Sequence, residues 1–257
     1  MQAINTPAIA QFSSKARLTS VVTTERVRAE LLVHAPQGVT ASNDDKITLN
    51  TVWVGLQLAH QPKWHSYWKN PGDSGLPTRL SWTLPTGVMA GDIAWPKPQK
   101  FYLGELLNFG YGETVVLAVP LTVTPAFKPS LLNSNLDIKL KAEWLVCKDV
   151  CVPEEGEFAL SIPTKGSTAI NAAAFEAAFK AQPKAIIANV GASIPASKAT
   201  VESHALKFEV RGLPAELRGK TLDFYPEIPE ILNNGAISSA SEKQEWQGAV
   251  WQVTFPL

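Results

Sequence analysis

Between Val27 and His34 the side chains alternate, with Ala29, Leu31 and Val33 on one side and Arg28, Glu30 and His34 on the other. A period of two reads as a strand with one buried face. Ile47 to His60 repeats the pattern, setting Val52, Val54, Leu56 and Leu58 opposite Thr51, Gly55 and Gln57. Thr114 to Val123 and Asp137 to Cys147 read as the next strands. In the second, Ile138, Leu140, Ala142, Trp144 and Val146 share one face, and Asp137, Lys139, Lys141, Glu143, Leu145 and Cys147 share the other. Glu157 to Ile162 resumes the alternation with Phe158, Leu160 and Ile162 inward. The segment between joins two strands at one end of a sandwich, and Cys147, on the polar parity at a strand end, is expected to be within reach of solvent.

Two segments break the alternation. Gln61 to Pro77 and Ala94 to Gly104 are dense in aromatic residues and prolines and read as loops, whose rings either pack over an open sandwich end or meet a partner. Pro163 to Gly166 marks a boundary, giving expected units 1–165 and 166–257. Beyond it, Asn171 to Ala181 reads as a helix with Phe175, Ala178 and Phe179 on one face, ended by Pro183. Leu206, Phe208 and Val210, then Thr221 to Tyr225, then Ala249 to Phe255 read as strands. Nineteen prolines, sixteen glycines and eight tryptophans fit a chain of short strands and turns, so the expected class is all-β and sandwich-like.

At 257 residues the chain can bury a sizeable core, and its 23 Lys and Arg balance 23 Asp and Glu. A zero net charge gives no basic field for nucleic acid or anionic lipid, which leaves proteins or small molecules as partners. Apolar runs such as Thr114 to Val123 are strand-sized, short of the ~20 residues of a membrane span. Met1 to Pro7 has no charged region followed by an apolar one, so no signal peptide is expected, and the end on a strand-like Val253 to Leu257 reads as part of something longer.

The two cysteines, Cys147 and Cys151, stand in Trp144-Leu-Val-Cys-Lys-Asp-Val-Cys-Val-Pro153. In an extended strand their Cα atoms would lie about 13 Å apart, whereas a disulfide needs roughly 4.4–6.8 Å. A bond therefore requires a turn at Lys148, Asp149 and Val150. The ring it closes is so small that loop entropy gives only about 2 kcal/mol. A close pair is better suited to rapid exchange between dithiol and disulfide. Buried free thiols, a structural disulfide and a metal site remain open, the last with soft Cu(I) on two thiolates and a histidine. His34, His60, His65 and His204 show no ligand-like pairing among themselves. Phosphate-binding glycine loops and a nucleophile elbow are absent. Glu154 and Glu155 read as a solvated hairpin end, with a general-acid pair as the alternative.

Trp64-His-Ser-Tyr-Trp-Lys-Asn-Pro-Gly-Asp-Ser-Gly-Leu-Pro77, Trp95-Pro-Lys-Pro98, Phe101-Tyr102 and the cysteine segment together resemble the N-terminal periplasmic region of DsbD-type transmembrane thiol:disulfide reductases. Within that family they resemble the ScsB branch, linked to copper tolerance. The resemblance covers about residues 18 to 163. It implies two immunoglobulin-like β-sandwich domains with a short helical connection, the second a spacer or docking unit. It also implies a periplasmic protein-disulfide reductase domain of an inner-membrane protein, without a cofactor. Cys147 and Cys151 match the catalytic pair, Phe101 and Tyr102 the shielding cap, and Tyr67 a tyrosine near the active site. The implied donors are the transmembrane and thioredoxin-like domains of the same full-length protein. The implied acceptors are periplasmic thioredoxin-like or DsbC/ScsC-like proteins. In the DsbD branch the cysteines are further apart, and acidic residues precede the cap where this chain has Gln99 and Lys100. The alternative is a copper(I)-binding or partner-docking module without redox turnover.

Overall fold

The computed structural model describes residues 19–39, 52–129, 134–186, 197–232, 234–238 and 244–257. In chain order the first strands are β1 (Val21–Thr23), β2 (Val27–His34), β3 (Val52–His60), β4 (His65–Gly72), β5 (Arg79–Thr83) and β6 (Val88–Ala90). They are followed by β7 (Gln99–Leu103), β8 (Leu106–Gly112), β9 (Thr114–Val123), β10 (Asn135–Cys147) and β11 (Cys151–Pro163). Helix α1 (Ala172–Lys180) precedes β12 (Lys198–Glu202), β13 (Ala205–Val210), helix α2 (Asn234–Ser238), β14 (Gln244–Gln247) and β15 (Val250–Pro256). The expected start of the second strand at Ile47 lies outside the described residues.

The first eleven strands form two antiparallel sheets, β1-β2-β3-β9-β6 and β11-β10-β4-β8-β7 with β5 paired to β10. Their facing sides supply the core. Val54, Leu56, Leu58 and Leu117 from one sheet and Phe109, Leu140, Trp144 and Phe158 from the other are buried, as the alternation of β2, β3 and β10 requires. All-β and immunoglobulin-like describes this architecture.

Two segments read as loops contain strands. β4 lies inside the first, and β7, inside the second, forms a hairpin with β8. Alternation fails in β4 because both of its faces are covered: Ser66 and Trp68 are buried on one side, His65 and Tyr67 on the other. A strand covered twice shows no polar phase. Conversely, Thr221 to Tyr225 forms no strand. The backbone of Leu222 bonds instead to the side chain of Gln244, which accepts from its N–H at 2.7 Å and donates to its carbonyl at 3.1 Å.

The described strands beyond residue 197 form one four-stranded sheet, β12-β13-β15-β14. Its Phe208 and Phe255 pack against Phe224 at centroid distances of 5.1 and 4.9 Å and against each other at 5.9 Å. Leu206, Trp251, Val253 and Phe255 also belong to the same continuous buried cluster as the first unit. The helix expected to connect the units lies on the first one. Phe175 and Ala178 of α1 pack with Leu32 of β2 and with Val116 and Ala118 of β9.

Gly55 makes that docking possible. A Cβ there would meet Val116 Cγ1 at 2.9 Å and the Phe175 ring at 3.2 Å. Gly55→Val is therefore expected to lose about 1–3 kcal/mol of stability by overpacking. Urea unfolding checks this, with an unshifted midpoint counting against the role given to Gly55.

Candidate functional site

β10 and β11 pair without interruption from Asn135↔Pro163 to Cys147↔Cys151. The register carries the two cysteines to directly opposite positions at the hairpin end. Lys148, Asp149 and Val150 make the turn that the spacing demands, closed by a 3.2 Å bond from the Lys148 N–H to the Val150 carbonyl. The Cα atoms are 4.1 Å apart and the sulfurs form a disulfide.

Exposure is unequal, and in the opposite sense to the sequence expectation. Cys147 is 0% exposed, whereas Cys151 lies open to solvent. The polar parity of β10 does face outward, but at its last residue that face is covered. His65 of β4 stands directly opposite Cys147 in register, and the Phe101 ring lies flat on the His65 ring, with centroids 4.3 Å apart and planes at 8°.

Tyr67 is two residues along β4 from His65 and so on the same face. Its hydroxyl is 3.5 Å from Cys151 Sγ. A disulfide sulfur carries no proton, so the phenol is the donor, and burial raises its pKa and keeps that proton in place. The ring is wedged by Gly75, where a Cβ would fall 2.3 Å from it at a φ of +93°. The loop carrying Gly75 is fixed to β8. Asp73 Oδ2 accepts from the Leu107 N–H at 2.6 Å, and Ser74 donates to Asn108 Oδ1 from its N–H at 3.0 Å and its hydroxyl at 2.9 Å.

Of the two expected cap residues, the fold brings Phe101 to the disulfide side. Tyr102 follows on the opposite face of β7 and is 59% exposed. His65 went unassigned in the sequence, although its alternate position to Tyr67 on one strand was the signal that could have found it. Glu154 was read with Glu155 as solvated. Glu155 is exposed and pairs with Lys141 at 3.1 Å, but the Glu154 side chain is only 7% exposed. It accepts from Trp144 Nε1 at 3.1 Å and Thr24 Oγ1 at 2.8 Å, and it pairs with Arg26 at 3.3 Å. That carboxylate holds β11 to the turn between β1 and β2. Lys148 and Asp149 form an ion pair at 3.8 Å at the turn. Among the described residues no group of three or more His, Cys, Asp or Glu is placed to hold a metal ion.

Over residues 33–163 the sequence matches the family described as thiol:disulfide interchange protein DsbD, N-terminal. The chain belongs to the DsbD N-terminal family. Among solved structures, the N-terminal periplasmic domain of ScsB from Proteus mirabilis has a TM-score of 0.56 at 16% sequence identity. The match covers 93% of this chain and 83% of that one and shows a shared fold. No curated protein sequence matches. Family and disulfide together make this DsbD-type chain a thiol–disulfide exchange module of a kind that works with thioredoxin-like partners. No helix among the described residues is long and apolar enough to cross a membrane.

His65 gives the site a pH dependence. Burial, helped by the charge of His60, lowers its pKa from 6.5 to about 4. The unfolded chain therefore binds the proton more readily, so stability from the neutral imidazole is complete above pH 6.5 and is lost as pH falls towards about 4. His65→Phe, which keeps a ring against Phe101, is expected to flatten urea-measured stability across that window. An unchanged slope would show that His65 is not the group responsible.

Proposed function

We propose that this domain is a periplasmic protein-disulfide reductase module within a longer inner-membrane protein. Its Cys147–Cys151 pair receives electrons from the transmembrane and thioredoxin-like domains of that protein and passes them to thioredoxin-like or DsbC/ScsC-like partners. The observation that carries the reading is the pairing of one exposed cysteine, Cys151, with one buried cysteine, Cys147.

In the reduced domain the Cys151 thiolate attacks a sulfur of the partner disulfide. A mixed disulfide forms and the other partner sulfur leaves as a thiolate. Cys147, deprotonated in turn, attacks Cys151 Sγ, the domain disulfide re-forms, and the second partner sulfur is released. Two electrons and two protons pass to the partner. Cys147 suits the resolving role because a sulfur closed to solvent meets only its neighbour. The Tyr67 hydroxyl, aimed at Cys151 Sγ, stabilises charge on that sulfur when it leaves or attacks. Phe101, stacked on His65, screens the Cys147 side of the pair from adventitious oxidants.

The rival copper(I) reading has less support, since among the described residues no His, Asp or Glu joins the two cysteines in a ligand-like group. Residues 166–257 fit the proposed role of a docking unit better than that of a spacer, given their shared core with the first unit.

Equilibration with glutathione buffers, read by thiol alkylation and mass spectrometry, is expected to give one reversible two-electron transition. Cys147→Ser is expected to accumulate a mixed disulfide with an oxidised thioredoxin-like partner through Cys151, and Cys151→Ser to trap none. Trapping through Cys147 instead would reverse the assignment. Phe101→Ala is expected to speed oxidation of the reduced pair by a small disulfide roughly 2- to 12-fold, the kinetic equivalent of an aromatic contact worth about 0.5–1.5 kcal/mol. An unchanged rate would remove the cap role.

A further inference from the structure

Both walls of the disulfide site are tied from behind by residues of the second unit, from the irregular segment around Asp223 to Glu227 and from the start of α2. The first wall is Phe101 on β7, the edge strand of its sheet, paired only to β8. Successive residues of a strand point to opposite faces, so Phe101 lies over His65 while Lys100 turns the other way. There Lys100 Nζ meets Asp223 Oδ1 at 2.7 Å and stands 5.6 Å from the centroid of the Tyr225 ring. Tyr225 is itself seated edge-on against Phe109 and Trp68, at 5.6 and 6.5 Å. The second wall is Tyr67, backed by the loop from Asp73 to Gly75. Asp73 Oδ1 accepts from Asn234 Nδ2 of α2 at 2.7 Å. Between these anchors the Pro226 carbonyl accepts a buried bond from Asn70 Nδ2 at 2.8 Å, and Glu227 pairs with Lys69 at 2.9 Å.

We propose that Asp223, Tyr225 and Asn234 form a clamp that sets how readily the site opens, making the second unit a positioning element for exchange at Cys151. This rests on the reading of Phe101 as the cap. An edge strand held on one side by a single hairpin ladder can lift, and what resists lifting on its free side is the Lys100 anchor to Asp223 and Tyr225. These contacts are partly exposed and individually weak, which suits a gate: each changes the open fraction by up to about fivefold without deciding whether the domain folds. A partner that docks at the exposed Cys151 and loosens Asp223 from Lys100 would uncover the buried Cys147 only when it is in place.

The test uses the whole chain, reduced beforehand, with oxidation by hydroxyethyl disulfide followed by alkylation and mass spectrometry and with urea midpoints measured in parallel. Asp223→Ala and Tyr225→Leu are expected to raise the rate up to about fivefold each. Asn234→Ala should raise it through the second wall. The reversed pair Lys100→Asp with Asp223→Lys should return the rate towards that of the parent, which a loss of structure would not do. Adding Asp223→Ala to Phe101→Ala should bring little further change. If Phe101→Ala speeds oxidation while the Asp223 and Tyr225 variants do not, the clamp is wrong and the cap survives. If Phe101→Ala itself has no effect, the cap fails and the clamp with it. Acceleration that follows lowered urea midpoints and is not rescued by the reversed pair would also overturn the clamp.

Discussion

The ladder between β10 and β11 sets the position of everything chemical in this domain. Its register runs from Asn135↔Pro163 to Cys147↔Cys151, and the pairing is closed at the far end by the disulfide itself. A slip of one residue would turn every inward side chain of one strand to the other face. It would move either Trp144 and Val146 of β10 or Phe158 of β11 out of the core and take the sulfurs out of opposition. The chemistry is thus secured by apolar burial well away from the cysteines, together with the buried Glu154 carboxylate that holds β11 to Thr24 and Arg26. The disulfide adds little to stability, because the loop it closes is short. Its covalent state can change while the ladder remains.

That separation explains how a redox pair can sit in a rigid sandwich. Formation and cleavage of the bond require only small movements of sulfurs already opposite one another. The surrounding side chains supply the asymmetry. Cys147 is buried, with His65 directly across from it and Phe101 stacked on His65, while Cys151, past the hairpin turn, is exposed. Tyr67 is the one polar contact made to Cys151 Sγ among the described residues, and it comes from a strand buried on both faces, so its hydroxyl is held in place.

Much of this was legible wherever a strand has one wet face. β2 and β9 have the limits that their alternation predicts, and α1 falls within the predicted helix. The cysteine spacing required the turn that Lys148 to Val150 makes. The misreadings have a common cause in surfaces covered by parts of the chain distant in sequence. β4 looked like a loop because its outer face is roofed by Phe101 and Gly75. Cys147 looked accessible because nothing in its own strand reveals the strand beside it. Glu154 looked solvated because its partners Thr24 and Arg26 are far away along the chain. Period two reports what a strand does by itself; it cannot report what is laid over it.

The same argument bears on the second unit. Residues 220–232 carry few periodic signals, and their one apparent strand, Thr221 to Tyr225, is irregular. Irregular backbone needs other partners for its polar groups. Here they come from Gln244 within the unit and from Asn70 across the boundary. A segment that must satisfy itself against another unit has its geometry coupled to that unit, unlike a ladder that pairs within its own sheet. The charge pattern follows the coupling. Lys100 has its counter-charge in Asp223. A basic residue beside Phe101 thus has its partner in the second unit rather than at the sulfurs, and altering either charge acts on the edge strand before it acts on the disulfide.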